Sequence, residues 1–505
     1  MTTPPTPATA ASIPPTPAPI VVSLRPEDPE VCSSAAASLT PQHPANFSPS
    51  KKALNTALAA YVLFLTAIMA TSVGVMTPAG SRWFGVSGTA FQLTLTAYMV
   101  PMALFSLVFA PLSEAFGRAG VYRVAMVVNT LAFVPQIWTH SYAALMVTRV
   151  IQGTALAAGN TLVGGTIADL YAPRERGLAM NIMALANYAG NSLGGAAFGF
   201  VAAKLGVQWC YGIQALACVV SVVANYALMS ETRAEAVAAR KAKRFTKATG
   251  VQHVPEGQVV HSAKATVAAT VLRPLRFLCT EPIVTAMSLW IGFAWSCIYL
   301  GSSATLTVFA QYGWSPGVTG LSLLSTLVGG LLGFVSNFHQ ERIYRRAVAA
   351  GSATPEVRLY WAASGGLLFP VCMYAYAWTG RPSVHWIVPV LFLSGAMWGV
   401  YIMYCGVVNY FADAYETYSS SAQAAHSFVR GFMAGTLPLA AGAMYNRLGY
   451  PHASTLVASI STGLAAAPLA LIFIGPKLRA RSKTAVAIGS ACGQVWDQAA
   501  VVSRQ

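Results

Sequence analysis

Acid is scarce in this chain. Of 505 residues only 15 are Asp or Glu, against 31 Lys or Arg, and charged residues of both signs make up 9%. An average soluble domain carries roughly 25%. A chain so poor in charge cannot dress a water-exposed surface of its size, so an assembly of soluble domains is excluded. The few acids are also missing from the interior of the apolar runs, since each lies in a polar connection or at the edge of a run. The eight cysteines (Cys32, Cys210, Cys218, Cys279, Cys297, Cys372, Cys405 and Cys492) form no CxxC pair and no cluster with histidine. That argues against a disulfide framework or a zinc-type ligand set. No glycine cluster is followed by the Lys-Ser/Thr of a phosphate-cradling loop. No nucleophile-base arrangement stands out in the apolar runs, so neither an enzyme, a metal nor a cofactor is expected.

What is abundant is hydrophobicity, at 55% of residues with a mean hydropathy of +0.55. Apolar runs of ~20 residues, each long enough to cross a ~30 Å hydrocarbon core as a helix, recur at 53–76, 88–112, 120–138, 142–167, 176–203, 207–229, 284–311, 317–341, 357–378, 384–412, 418–443 and 450–475. The expected fold is an all-α integral membrane protein with twelve transmembrane helices in two pseudo-symmetric six-helix bundles, at 53–229 and 284–475. A basic linker (230–283) joins the bundles. Residues 1–52, rich in Pro, Ala, Thr and Ser, read as a disordered tail, and 476–505 form a second tail.

The sparse charge fixes sidedness. With both chain ends on one side, only Arg82, Lys204, Arg381 and Arg447 fall on the other, and Arg149 and Arg430 fall within spans. Cytoplasmic segments of membrane proteins are enriched in Lys and Arg, so both termini are expected in the cytoplasm. The plasma membrane is the favoured location, with the vacuolar membrane as the alternative. The basic linker, with Arg233, Arg240, Lys241, Lys243, Arg244 and Lys247 among its charges, suits the anionic headgroups of a lipid bilayer rather than nucleic acid.

An ionisable side chain inside a membrane is costly and faces the bundle interior or a pathway as a rule. Arg149 lies about seven residues into the fourth run and Arg430 about 12 into the eleventh, near the midplane at 1.5 Å per residue. His426 precedes Arg430 by one helical turn, so the two share a face. His426 can exchange a proton where Arg430 cannot. Asn409, Tyr404, Trp290 and Tyr98 are further candidates for a substrate and proton pathway, although intramembrane polar residues also serve as glue between helices. The glycines at 190, 194, 195 and 199 suit close helix packing.

The fourth-run stretch LMVTRVIQGTALAAGN resembles the arginine motif of proton-linked drug exporters of the major facilitator superfamily. APLSEAFGRAGVYR resembles that superfamily's loop between helices two and three, with Glu114, Gly117 and Arg118 matching. RPLRFLCTEPIV, PEVRLYWAASGGLLFPV, SVHWIVPV, NYFADAYETYSSSAQAAHSFVRG and GPKLRARSK are similar to the fungal twelve-helix drug:H+ antiporter group. The resemblance implies two bundles rocking around a central site, protons as coupling ion, Arg149 in the coupling network, and Glu114, Gly117 and Arg118 in a cytoplasmic gate. The chain departs from the pattern at Asn191 and Gly195, where prolines are usual, at Ala119 and Gly120 after Arg118, and at His426, where Asn is common.

A buried cationic substrate would need a compensating carboxylate, and no run has one in its middle. The expected small-molecule substrate is therefore neutral or anionic: an organic acid or an acidic secondary metabolite, exported by alternating access. A broad drug efflux pump and a non-transporting sensor of the same fold are the rival readings.

Overall fold

Serines start three of the first four long helices. Ser48 accepts from the Lys51 amide, Ser87 from that of Ala90 and Ser141 from that of Ala144, each satisfying a donor that the helix leaves unpaired at its N-terminus. The computed structural model describes residues 44–171, 175–249, 263–350, 354–415 and 419–481. The outer parts of both expected tails and the middle of the linker lie outside the described residues. The first half comprises α1 (Pro49–Phe84), α2 (Gly88–Phe116), α3 (Arg118–Trp138), α4 (Tyr142–Leu170), α5 (Arg176–Lys204) and α6 (Val207–Leu228). Two linker helices follow, α7 (Ala234–Thr249) and α8 (Ala263–Thr280). The second half comprises α9 (Pro282–Ala310), α10 (Pro316–Leu321), α11 (Leu324–Ala349), α12 (Val357–Thr379), α13 (Ile387–Tyr415), α14 (Ser419–Thr436), α15 (Leu439–Leu464) and α16 (Ala466–Arg481).

Eight stretches are long and apolar enough to span a membrane on composition alone, with α10 and α11 counting as one and α15 with α16 as another. Outside the linker, the four long segments that miss this threshold are α4, α5, α12 and α14. Three of them are diluted by polar groups facing inward, such as Arg149, Asn187 and Arg430, all buried. Adding them gives the twelve spans. The eleventh continues past Pro438 into α15 and ends at Gly449, whose φ of 71° breaks that helix. A left-handed residue there reverses the chain into the twelfth span, and glycine takes it without steric penalty.

The two halves repeat one packing scheme. In the first, α1 packs on α5, α2 on α4, and α3 on both α4 and α6; in the second, α9 packs on α14, α11 on α13, and α12 on both α13 and α15. Between halves, α2 lies against α14, α5 against α10 and α11, and α1 against α9. Small residues permit the tightest of these approaches. A methyl group on Gly153 would sit 2.0 Å from the Tyr98 carbonyl oxygen, and one on Gly195 2.1 Å from Leu323 of the other half. In the linker, α8 packs on both α2 and α14, so this segment, expected only as a basic connection, also straddles the seam between halves.

Candidate functional site

Arg430 reaches the interface because α14 presents one face to α2 and another to α9. Its side chain is buried, and its Nη2 donates to Asn160 Oδ1 of α4 at 3.1 Å. The guanidinium carbon stands 4.8 Å from the centre of the Trp295 ring and 5.6 Å from that of Tyr404. The two rings are themselves 4.9 Å apart. A desolvated cation over aromatic faces gains about 2 kcal/mol, and Asn160 supplies one neutral acceptor. Arg430 Nε has no hydrogen-bond partner. Among the described residues the cation is thus held without an ion pair, which leaves it able to receive an anion.

Around Arg430 is a small cavity. Thr66, Met99, Asn160 and Asn187 line it from the first half, Trp295 and Tyr299 from the second. It offers ≈ 20 Å³ to a water centre, room for about one water, so the halves are drawn together over the site. Contacts close it from both directions. Toward the end where α2 begins, Thr96 Oγ1 donates to the Gly435 carbonyl at 2.7 Å and Ser192 Oγ to that of Leu323 at 3.0 Å. Toward the linker end, Tyr401 Oη donates to Asn181 Oδ1 at 2.6 Å, and Asn181 Nδ2 to the Phe334 carbonyl at 3.1 Å. Every one of these bonds joins the two halves.

The expected site residues divide into groups. His426 lies beside Arg430, almost fully buried, with ring centroids of Tyr404 and Phe411 at 6.2 and 6.0 Å and no partner on either nitrogen. Tyr404 flanks the guanidinium, and Tyr98 donates to the Thr66 carbonyl at 3.1 Å, behind the cavity wall. Arg149, by contrast, points into the core of the first bundle. It is fully buried, 5.3 Å from the centre of the Tyr211 ring, with Nη1 3.5 Å from Gln152 Oε1 and its Nε and Nη2 unpartnered. Trp290 packs against Gly366 inside the second bundle, and Asn409 is half-buried on α13. These three do not line the cavity. Asn160, Asn187, Trp295 and Tyr299 do; Asn160 lies 11 positions after Arg149, on the same stripe of α4 three turns deeper.

At the linker end, Gly117 turns the chain between α2 and α3 with φ of 87°. Its turn aims the Arg118 amide at Glu231 Oε1, 2.8 Å away. The Arg118 guanidinium binds Asp169 at the end of α4, whose other oxygen is 3.7 Å from Arg233. Glu114 is in the last turn of α2, and its side chain lies outside the described ones. The second half has its own version, which sequence reading missed. Arg358, one residue into α12, donates to Asp413 Oδ2 at 2.9 Å and Glu341 Oε2 at 3.1 Å, and lies 3.3 Å over the Tyr344 ring. A signal existed: Ala168-Asp169-Leu170-Tyr171 and Ala412-Asp413-Ala414-Tyr415 are one ADxY pattern at corresponding helix ends.

Replacing Arg358 by Gln leaves Asp413 and Glu341 facing each other without their shared cation. Both carboxylates are partly exposed and Glu341 keeps Arg345 at 3.5 Å, so losing these charge-assisted bonds is expected to destabilise by about 1.5–3 kcal/mol. Thermal unfolding of the detergent-purified protein measures it, and an unchanged melting temperature would remove the clamp from the list of stabilising contacts.

Two six-helix halves with one packing scheme, meeting at a polar cavity, define a membrane transporter architecture. The chain belongs to the Major Facilitator Superfamily, whose sequence model matches residues 59–438. Among curated relatives, the efflux pump FUB11 of Gibberella moniliformis is 31% identical over 402 residues, covering 78% of this chain and 67% of that protein. The MFS transporter cpaT of Aspergillus oryzae is 30% identical over 456 residues, covering 89% and 92%. Of solved structures, the human organic anion transporter MFSD10 superposes with a TM-score of 0.58 at 16% identity, over 84% of this chain and 100% of that one. The Escherichia coli xylose transporter XylE gives 0.57 at 14%, over 83% and 98%. At such identities the superpositions speak for the fold alone.

Proposed function

We propose that this protein exports a small neutral or anionic organic metabolite across the plasma membrane by alternating access, driven by proton antiport, with its linker end in the cytoplasm. The observation that carries the reading is Arg430, a permanent cation at the meeting point of the halves with aromatic rings and Asn160 as company and no carboxylate among the lining residues. Such a site attracts an acid and repels a polyamine, because a second unpaired cation in low dielectric is prohibitive. The FUB11 relative carries an efflux-pump name, which supports the outward direction. His426 is the proposed proton-exchanging group, Arg149 a fixed cation of the proposed coupling network, and the clusters around Arg118 and Arg358 the proposed cytoplasmic gate. The proposed unit boundaries are the 53–229 and 284–475 bundles with the linker between them.

In this cycle the contacts of Tyr401 and Asn181 part to admit solute from the cytoplasm, and those of Thr96 and Ser192 part to release it. The solute's acidic group takes the Arg430 Nε that has no partner now. Met99, Met102 and Trp295, which also line the cavity, suit an apolar body.

The test is flux in proteoliposomes under an imposed pH gradient. Salicylate, an aromatic monocarboxylate, is expected to move and spermine is not. Robust spermine flux without salicylate flux would sink the reading. Equal flux of a neutral lipophilic dye and salicylate would favour the broad-specificity pump, for which the methionine and aromatic lining speaks.

A further inference from the structure

A larger cavity, of ≈ 550 Å³, opens away from the seam, at the linker end of the first bundle. That volume lies within the roughly 300–1,000 Å³ usual for small-molecule sites. Five segments converge on it: Ala45 ahead of α1, Lys52 in the first turn of α1, Asp169 and Tyr171 at the end of α4, Arg176 at the start of α5, and Thr232 and Arg233 where the chain leaves α6.

How these groups are occupied indicates what they lack. Arg176 is pinned, donating from Nε to the Tyr171 carbonyl and from Nη2 to that of Ala168, both at 2.9 Å. Lys52 Nζ stands 5.6 Å from the centre of the Tyr171 ring, and no ion pair with a carboxylate is recorded for it among the described residues. Arg233 Nη1 lies 3.7 Å from Asp169, whose other carboxylate oxygen is bound by Arg118. Thr232 is fully buried in the wall, and its hydroxyl has no hydrogen-bond partner. An unsatisfied buried hydroxyl is unfavourable by about 1–3 kcal/mol, and valine would fill the same volume without that loss. A threonine at this place makes physical sense if something else takes up the hydroxyl.

The mixed signs narrow the ligand. A bare anion would use Lys52, Arg176, Arg233 and Thr232 but would be repelled by Asp169 and Glu175, which also line the cavity. A hydroxylated ring bearing phosphate uses both sets, the cations on its phosphate oxygens and the carboxylates as acceptors for its hydroxyls. We propose that this cavity binds a phosphorylated polyol, the chemistry shared by an inositol phospholipid headgroup and a soluble inositol phosphate. The ends of spanning helices place it at headgroup depth, where basic clusters meet anionic lipid. A phosphate there draws Arg233 away from Asp169 Oδ1, which then accepts a ring hydroxyl while Oδ2 stays with Arg118, so occupancy ties the ligand to the gate.

The full chain in nanodiscs tests this, with melting temperature and direct binding as readouts. Phosphatidylinositol phosphate is expected to raise the melting temperature above that in phosphatidylserine discs of equal lipid charge. Thr232→Val, which removes only an unpartnered hydroxyl and keeps the shape, is expected to weaken binding about tenfold, the loss of one charge-assisted hydrogen bond. The Lys52→Gln/Arg233→Gln double variant is expected to abolish the difference between lipids. Inositol trisphosphate stabilising the protein in phosphatidylcholine discs would assign the ligand to the soluble source; stabilisation by the lipid alone would assign it to the membrane. Equal effects of phosphatidylserine and phosphatidylinositol phosphate without any response to inositol trisphosphate overturn the proposal. So does a Thr232→Val protein that melts like the parent without ligand and binds with parental affinity.

Discussion

Arg430→Gln is expected to lower transport of an organic anion by about 30-fold to 4,000-fold while leaving the protein folded. The range follows from removing one partner of a buried charge pair, about 2–5 kcal/mol, at a factor of ten per 1.4 kcal/mol. Glutamine still offers an amide to Asn160 Oδ1, which now accepts from Arg430 Nη2 at 3.1 Å, and an amide can rest on Trp295 as a guanidinium does. Folding is therefore spared, and what disappears is the charge. Flux of salicylate into proteoliposomes against flux of a neutral dye separates the consequences. A loss confined to the anion fits a charge-reading site. An equal loss of both would mean that Arg430 holds the halves in place rather than meeting the solute, and undiminished anion flux would take Arg430 out of the pathway altogether.

That Arg430 would matter was legible from the sequence, because a lone permanent charge near the middle of an apolar run has few tolerable fates. What it would touch was not. Asn160 is 270 positions away in the chain, and no periodicity within α4 or α14 relates the two helices; only packing of one bundle on the other does. The fate of Arg149 shows the same limit. Its depth in the fourth span could be counted, yet a long side chain on a helix can enter either the seam or the bundle core. The pocket formed by Tyr211 on α6 and Gln152 on α4 decided between them. The spans themselves were easier, since hydrophobic length is a property of one segment and the bilayer asks little else. Helix ends were harder: Pro438 and Gly449 set the joints of the eleventh and twelfth spans through local backbone geometry, which hydropathy does not sense. The ADxY repeat at Asp169 and Asp413 went unread because its partners Arg118 and Arg358 sit in sequences that share no motif, although duplication of the fold brings them to like places.

Arg149→Met is expected to raise the melting temperature and yet cripple proton-driven transport, an opposition of signs that few single substitutions produce. The guanidinium is fully buried, with two of its nitrogens unpartnered and only a 3.5 Å contact to Gln152 and the Tyr211 ring to offset desolvation. Replacing a poorly compensated buried charge by an apolar side chain of similar reach is stabilising by about 1–4 kcal/mol in comparable cases, and 2–4 °C per kcal/mol is usual for domains of this bundle's size. Gln152 and Gln136 keep their mutual bond at 3.0 Å, so the polar cluster is not dismantled. A residue that weakens the fold persists where function needs it, and a fixed cation on the proposed coupling route, which biases protonation there by charge alone, is such a need. Exchange of labelled for unlabelled salicylate at equal pH on both sides should survive in Arg149→Met, while accumulation under a pH gradient should vanish. A melting temperature several degrees below the parent would instead show that the charge is compensated in the core, and retained accumulation would remove Arg149 from the coupling route.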